Sequence, residues 1–202
     1  MHPNDHIDIF LRNVRTTRRL LSRQVGFFNQ NVLPRRELES IYELAFLKVF
    51  ISFETQLVEL LKTNLMMPLD ATGRVRSNFP VTNRSQAGKL LLGAGRYFQL
   101  LPVEQMEKIA KVYLKNGGPF ISLDAAQKLD ITKAYAIRNH IAHRSIDSKA
   151  SYQKKILNSV TLPRSSTSPG YYLRTSMTNS VTYFDHHVSG VGSCLNRLCG
   201  QS

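Results

Sequence analysis

Cysteine is scarce. Only Cys194 and Cys199 occur in 202 residues, too few for a disulfide scaffold and in keeping with a reducing compartment. Acid is scarce too: 14 Asp plus Glu stand against 27 Lys plus Arg, a net charge of +13. Such an imbalance favours a polyanionic partner, above all nucleic acid, over an acidic protein. The plainer alternative is a basic protein whose charge only keeps it in solution. No apolar run reaches the roughly eighteen residues of a membrane span, so no membrane association is expected. The opening Met1–Asp8 is polar and carries two acids, unlike a secretory signal. A cytoplasmic location is the expectation. Internal repeats and extreme low-complexity segments are missing as well.

What is present is helical periodicity. Hydrophobic residues make up 42% and charged residues 20%, an ordinary globular balance that suits one domain over residues 1–202. Ile7–Phe28 carries Ile7, Phe10, Leu11, Val14, Leu21, Val25 and Phe28 at mostly helical spacing, with Asp5 as the expected N-cap. Arg12, Arg15, Arg18, Arg19 and Arg23 cover much of the rest of that helix, either as a solvated face or as an RNA-facing strip. Pro34 separates it from Glu37–Asn64, the longest apolar pattern and therefore the expected centre of the domain. Further helices are expected over Gln86–Leu100 with Ser85 as cap, over Pro102–Leu114, over Ser122–Arg144 and over Asp147–Val160. A last amphipathic helix is expected at about 179–199, capped by Thr178 or Asn179. Together these predict an all-α protein, an antiparallel bundle of about five or six helices with its core at about 7–158.

Between the helices, Met67–Arg84 reads as a basic loop with Arg74, Arg76 and Arg84, a candidate for nucleic-acid backbone contact. Leu162–Met177 is rich in Ser, Thr and Pro and reads as a loop. Gly88, Gly93 and Gly95 do not make a phosphate loop, lacking the preceding strand and the terminal Lys-Ser/Thr pair. His186, His187, Cys194 and Cys199 match no zinc spacing, so neither a metal nor a cofactor is expected.

The candidate chemistry lies in Ile131–Ser145. Ile131, Ala134, Ile141 and Ala142 mark one buried face of a helix capped by Asp130, and Arg138 falls on the same stripe. Arginine is rarely buried without a partner. His140 and His143 follow closely and share a face. A permanent cation beside histidines that change charge near neutrality is what phosphodiester chemistry needs: one group for the phosphate oxygens, another to carry the proton. The alternative is a basic helix C-terminus that meets the negative end of the dipole. Arg138 and His143 lie five positions apart, about 140° around a regular helix. Either the helix ends near His143 or a second chain completes the site.

Arg138-Asn139-His140-Ile141-Ala142-His143 resembles the arginine, four residues, histidine motif of the HEPN superfamily, and Asn139 resembles the polar residue that follows its arginine. Phe50-Ile51-Ser52-Phe53-Glu54-Thr55-Gln56-Leu57 is similar to the serine–glutamate helix of the RiboL-PSP-HEPN subgroup. The two motifs together suggest a likeness over about 7–158. Ser145 departs from the pattern, standing where many toxin-type members carry a tyrosine.

The resemblance implies a HEPN-like helical bundle and a metal-independent endoribonuclease. Arg138 would stabilise the phosphorane, His143 or His140 would move the proton, Asn139 would position the phosphate or the arginine, and Glu54 would hold Arg138 or the histidine. It also implies RNA as substrate, a homodimer that brings two motifs together, an inhibitory partner protein and a toxin-like or antiviral defence role. The alternative is a non-catalytic HEPN-type RNA- or nucleotide-binding or dimerisation module.

Overall fold

A computed structural model describes residues 2–67, 69, 75–79, 81–92, 100–160, 162, 167–178 and 180–200. It is all-α, as the periodicity predicts. Helices α1 (Pro3–Asn29), α2 (Arg35–Met66), α3 (Arg84–Leu92) and α4 (Val103–Tyr113) lead to a 3-10 segment at Lys115–Ile121. Then come α5 (Ala125–His143), α6 (Ile146–Lys155), α7 (Pro169–Arg174) and α8 (Tyr183–Gly200), with strands β1 (Ser176–Thr178) and β2 (Val181–Thr182) pairing antiparallel before α8.

The four long helices form a ring of antiparallel neighbours. Between α1 and α2, His6 Nδ1 lies 3.0 Å from Gln56 Oε1, its Nε2 lies 3.0 Å from Thr63 Oγ1, and Asn13 donates to Ser52 Oγ at 2.8 Å. Between α2 and α5, Arg138 pairs with Glu54 and Arg144 with Glu43. Between α5 and α8, Gly190 lies against Asp130, and Cys194 donates to the Gln127 carbonyl at 3.4 Å. Between α8 and α1, Gly192 abuts the Phe10 ring and Arg18 donates to Asp185 at 2.8 Å. In each pair one residue number rises as the other falls, so the chain runs alternately up and down.

The enclosed core explains why α2 is central. Phe46, Phe50, Phe53, Leu57, Leu60 and Leu61 are all buried on it. Phe53 meets Phe10 edge to face at 6.2 Å, Phe46 meets Phe184 at 6.3 Å, and Phe46 stacks on Phe50 at 6.1 Å. Such aromatic pairs contribute about 0.5–1.5 kcal/mol each beyond their buried area. Beyond its first turn the exposed strip of α2 is narrow: Ser40, Leu44, Lys48, Ile51 and Thr55.

Several local details differ from the sequence expectation. His2, not Asp5, caps α1, and Asp5 returns the second bond of the capping box. Asn83 accepts from the Gln86 amide and so caps α3, ahead of Ser85. Residues 93–99 of the expected Gln86–Leu100 helix, with Gly93, Ala94, Gly95, Tyr97 and Phe98, lie outside the described residues, as does Asn179. Asp124 caps α5 through a box with Gln127, and α5 runs unbroken past Asp130. Ala142 is exposed, not buried. The last helix begins at Tyr183 because Val181 and Thr182, β-branched, pair as β2 instead. Within the supposed Ser/Thr/Pro loop, Ser168 caps and Pro169 opens the short α7. Short elements of this kind raise the helix number above the five or six that long periodic stretches announce.

Acid weakens this core at a definable point. His187 is 2% exposed and shares a 2.8 Å hydrogen bond with the Tyr172 hydroxyl through Nε2. Burial above all, then His186 and Lys133, push its pKa down to about 3. The folded chain thus holds neutral imidazole where the unfolded chain binds a proton below about 6.5. Stability from this group is complete above that value and is lost as pH falls toward 3. Between pH 7 and pH 4 the loss is about 3 kcal/mol, at 1.36 kcal/mol per pH unit. Urea titrations at the two pH values are expected to show a lower midpoint at pH 4, with His187→Gln losing less over the same interval.

Among the described residues, no helix is long and apolar enough to cross a membrane, and no three His, Cys, Asp or Glu side chains gather as metal ligands.

Candidate functional site

The outer groove between α2 and α5 is a cleft of about 700 Å³ lined by Ile51, Glu54, Thr55, Val58, Arg138 and His143, among others, with Leu100 and Leu101 closing one side. Three of the five residues singled out by sequence meet here. Glu54 and Arg138 arrive from antiparallel helices at matching height. The Arg138 Nη2 donates to Glu54 Oε2 at 3.2 Å, and Nη1 donates to Asn139 Oδ1 at 3.0 Å. Both Arg138 and Glu54 side chains are about one-fifth exposed, at 20% and 21%. The guanidinium is therefore fixed in direction yet open to a ligand.

Burial raises the Glu54 pKa, and Arg138 only partly opposes this through charge and hydrogen bond. The buried Arg138 Nε has no hydrogen-bond partner among the described residues.

His143 reaches the same cleft because it is the last residue of α5. Arg144 turns left-handed at φ 49°, ending the helix, and Ser145 then caps α6. His143 is exposed. The five-residue separation therefore does not prevent one chain from presenting both groups in one cleft.

His140 is placed elsewhere. It stacks on Tyr152 at 5.1 Å, lies 3.5 Å from Ser148 Oγ through Nδ1, and lines a second cleft of about 300 Å³ with Glu43, Arg144, Lys149 and Tyr152. Burial leads in lowering its pKa, and Arg144 and Lys149 act in the same direction against Glu43. The two histidines share a helix turn but not a cleft.

The basic loop lies partly outside the described residues. Arg74 lies outside the described residues. Arg76 is buried, donating to Asn64 Oδ1 at 3.0 Å and to the Met67 sulfur, and Arg84 pairs with Glu59. Arg76 is thus committed to the fold, whereas Arg84 remains exposed while paired.

No sequence pattern singled out Glu43, which accepts from Arg144 and from the Gly170 amide and so ties the end of α5 to α2 and α7. Nor did it mark Leu100 and Leu101, which reach the cleft by tertiary packing alone.

No family model matches this chain, and no curated protein or solved structure matches it.

Proposed function

We propose that the protein is a metal-independent endoribonuclease of HEPN type. The observation that carries this reading is the cleft that Arg138, Glu54 and His143 line together. RNA would lie in it with a phosphate against the Arg138 guanidinium. The ribose 2′-OH attacks the adjacent phosphorus, the 2′-O–P bond forms and the P–O5′ bond breaks. The products carry a 2′,3′-cyclic phosphate and a 5′-OH. His143 moves the proton as general base or acid. Arg138 stabilises the charge on the phosphorane oxygens, and Glu54 and Asn139 hold it in place. The basic composition favours a polyanionic substrate.

A homodimer fits this reading. Ile51 in the cleft and Leu44 on the same strip of α2 are exposed, and Ile146 just beyond α5 is 88% exposed. A two-fold contact over these residues would bring two clefts together and supply a second proton carrier. An inhibitory partner and a toxin-like or defence role belong to the same proposal.

The second reading is a non-catalytic module of the same type that binds RNA or a nucleotide. Its supporting observation is that both terminal nitrogens of Arg138 already have partners within the chain. Incubation of total RNA in EDTA separates the two. Cleavage by the wild-type chain and none by Arg138→Ala/His143→Ala is the expected result. Absence of cleavage by the wild type, with RNA binding retained, would favour the module.

A further inference from the structure

The geometry points to a second RNA-binding element outside the cleft: an arginine ridge on α1 that grips the phosphate backbone of a strand engaged at Arg138 and His143. This rests on reading the chain as an RNA-acting protein.

Arg12, Arg15, Arg19 and Arg23 are all exposed and fall within about 80° of arc on α1, at 3.6 residues per turn. They form a track about 16 Å long, at 1.5 Å per residue. Among the described residues none of the four makes an ion pair. The one internal bond is from Arg15 Nε to the Leu11 carbonyl. Arg18, the remaining arginine of the helix, behaves differently and is tied to Asp185 on α8. No acidic residue occurs between Asp8 and Glu37.

Three neighbouring pairs at spacings of three and four thus set like charges side by side, which costs helix stability. A polyanion laid along the ridge offsets that repulsion. Every cation of α1 is an arginine, whose planar fork meets phosphate oxygens two at a time, as lysine cannot.

The ridge is well placed for a strand that enters the cleft. Asn13 bonds Ser52, so α1 lies directly beside the α2 segment that carries Ile51, Glu54 and Thr55. Exposed Thr16 and Leu20 of α1 and the exposed strip of α2, on which Lys48 stands, lie between ridge and cleft. Two helix spacings of about 8–10 Å each cover the distance. An anionic membrane is the less suitable partner. The apolar stripe of α1, Ile7, Phe10, Val14 and Leu21, is buried, and of the exposed Leu11, Leu20 and Phe27 only the last two share a face, too small an apolar area to anchor the helix in lipid.

The test uses the full chain and a fluorescein-labelled single-stranded RNA with 2′-O-methyl groups, which binds without being cut. Affinity is measured by anisotropy across a salt series. Arg12→Gln/Arg15→Gln/Arg19→Gln/Arg23→Gln is expected to flatten the log–log salt slope by about 3, at about 0.7 per phosphate contact on a single strand. The two half variants, Arg12→Gln/Arg15→Gln and Arg19→Gln/Arg23→Gln, each flatten it by about 1.4, so the result does not depend on folding of the fourfold variant. Arg18→Gln leaves the slope unchanged. A slope unaltered in the half variants overturns the ridge, as does failure of the wild type to bind. Binding of phosphatidylserine vesicles, but not RNA, through these arginines also overturns it. Cleavage of unmodified RNA in EDTA is scored separately. A chain that cuts RNA with an unchanged slope defeats only the ridge, and one that binds through the ridge without cutting defeats only the nuclease reading.

Discussion

His143→Ala is expected to slow single-turnover cleavage of a short RNA by about 10²–10⁴-fold, the usual contribution of a positioned general acid or base. His140→Ala is expected to change the rate by less than about threefold, under 1 kcal/mol of barrier. The sequence motif contains both histidines and does not choose between them. The difference comes from placement. His143 lines the cleft with Arg138 and Glu54, whereas His140 stacks on Tyr152 and lines another cleft. Rapid-mixing assays with both variants, folded by circular dichroism, check the assignment. If His140→Ala carried the large loss and His143→Ala the small one, the catalytic role would move to the second cleft with Arg144 and Lys149. Equal, small losses would remove general acid–base catalysis by either residue.

Gly170→Ala is expected to destabilise the chain by about 3 kcal/mol or more, at the upper end of overpacking costs. A Cβ at this position would stand 2.2 Å from the Glu39 carbonyl oxygen, 2.6 Å from its carbon and 2.9 Å from its Cα. These are backbone atoms of α2, buttressed by the core, and cannot rotate aside as a long side chain would. The Gly170 amide also donates to Glu43 Oε1 at 3.1 Å, so moving α7 away breaks that bond too. Gly88→Ala is the matched control. Its Cβ would meet only Lys62 Cε, at 4.0 Å, and alanine in a helix is favoured over glycine by about 1 kcal/mol. Urea titration of the two variants is expected to move the midpoint down for Gly170→Ala and slightly up for Gly88→Ala. A Gly170→Ala midpoint equal to wild type would mean that α7 does not dock on α2 as described.

The long helices were legible because each repeats an apolar stripe over many turns. The stripe of α2 is so wide that its central place follows from sequence alone. Ends were harder, since a cap is a choice among nearby polar residues. Asp5 and His2 both suit the start of α1, and only the backbone geometry gives the cap to His2 and the return bond to Asp5. Val181 and Thr182 continue the helical spacing of α8 but pair as a strand, because local β preference at a helix boundary competes with periodicity. Ala142 fits the apolar stripe of α5 yet is exposed, because α5 emerges from the bundle near its last turn. Arg138 and Glu54 were both visible as polar residues beside apolar stripes, and the antiparallel pairing of their helices is what joins them. Glu43, Leu100 and Leu101 reach the two clefts through long-range packing, for which a single sequence carries no local mark.

The two thiols of α8 have a consequence for chemical reactivity. Cys194 and Cys199 are both buried and unpaired. Burial, with Asp130 and Asp124 adding to it, pushes the Cys194 pKa up to about 12, and burial pushes Cys199 up to about 11. Thiolate is the species that alkylating agents and oxidants attack, so in the native state both sulfurs are shielded twice, by lack of access and by lack of charge. Their reaction requires α8 to leave its place between α1 and α5. The two sulfurs therefore keep time for the bundle: they are silent while the ring of helices is closed, and they become reactive only at the rate and to the extent that it opens.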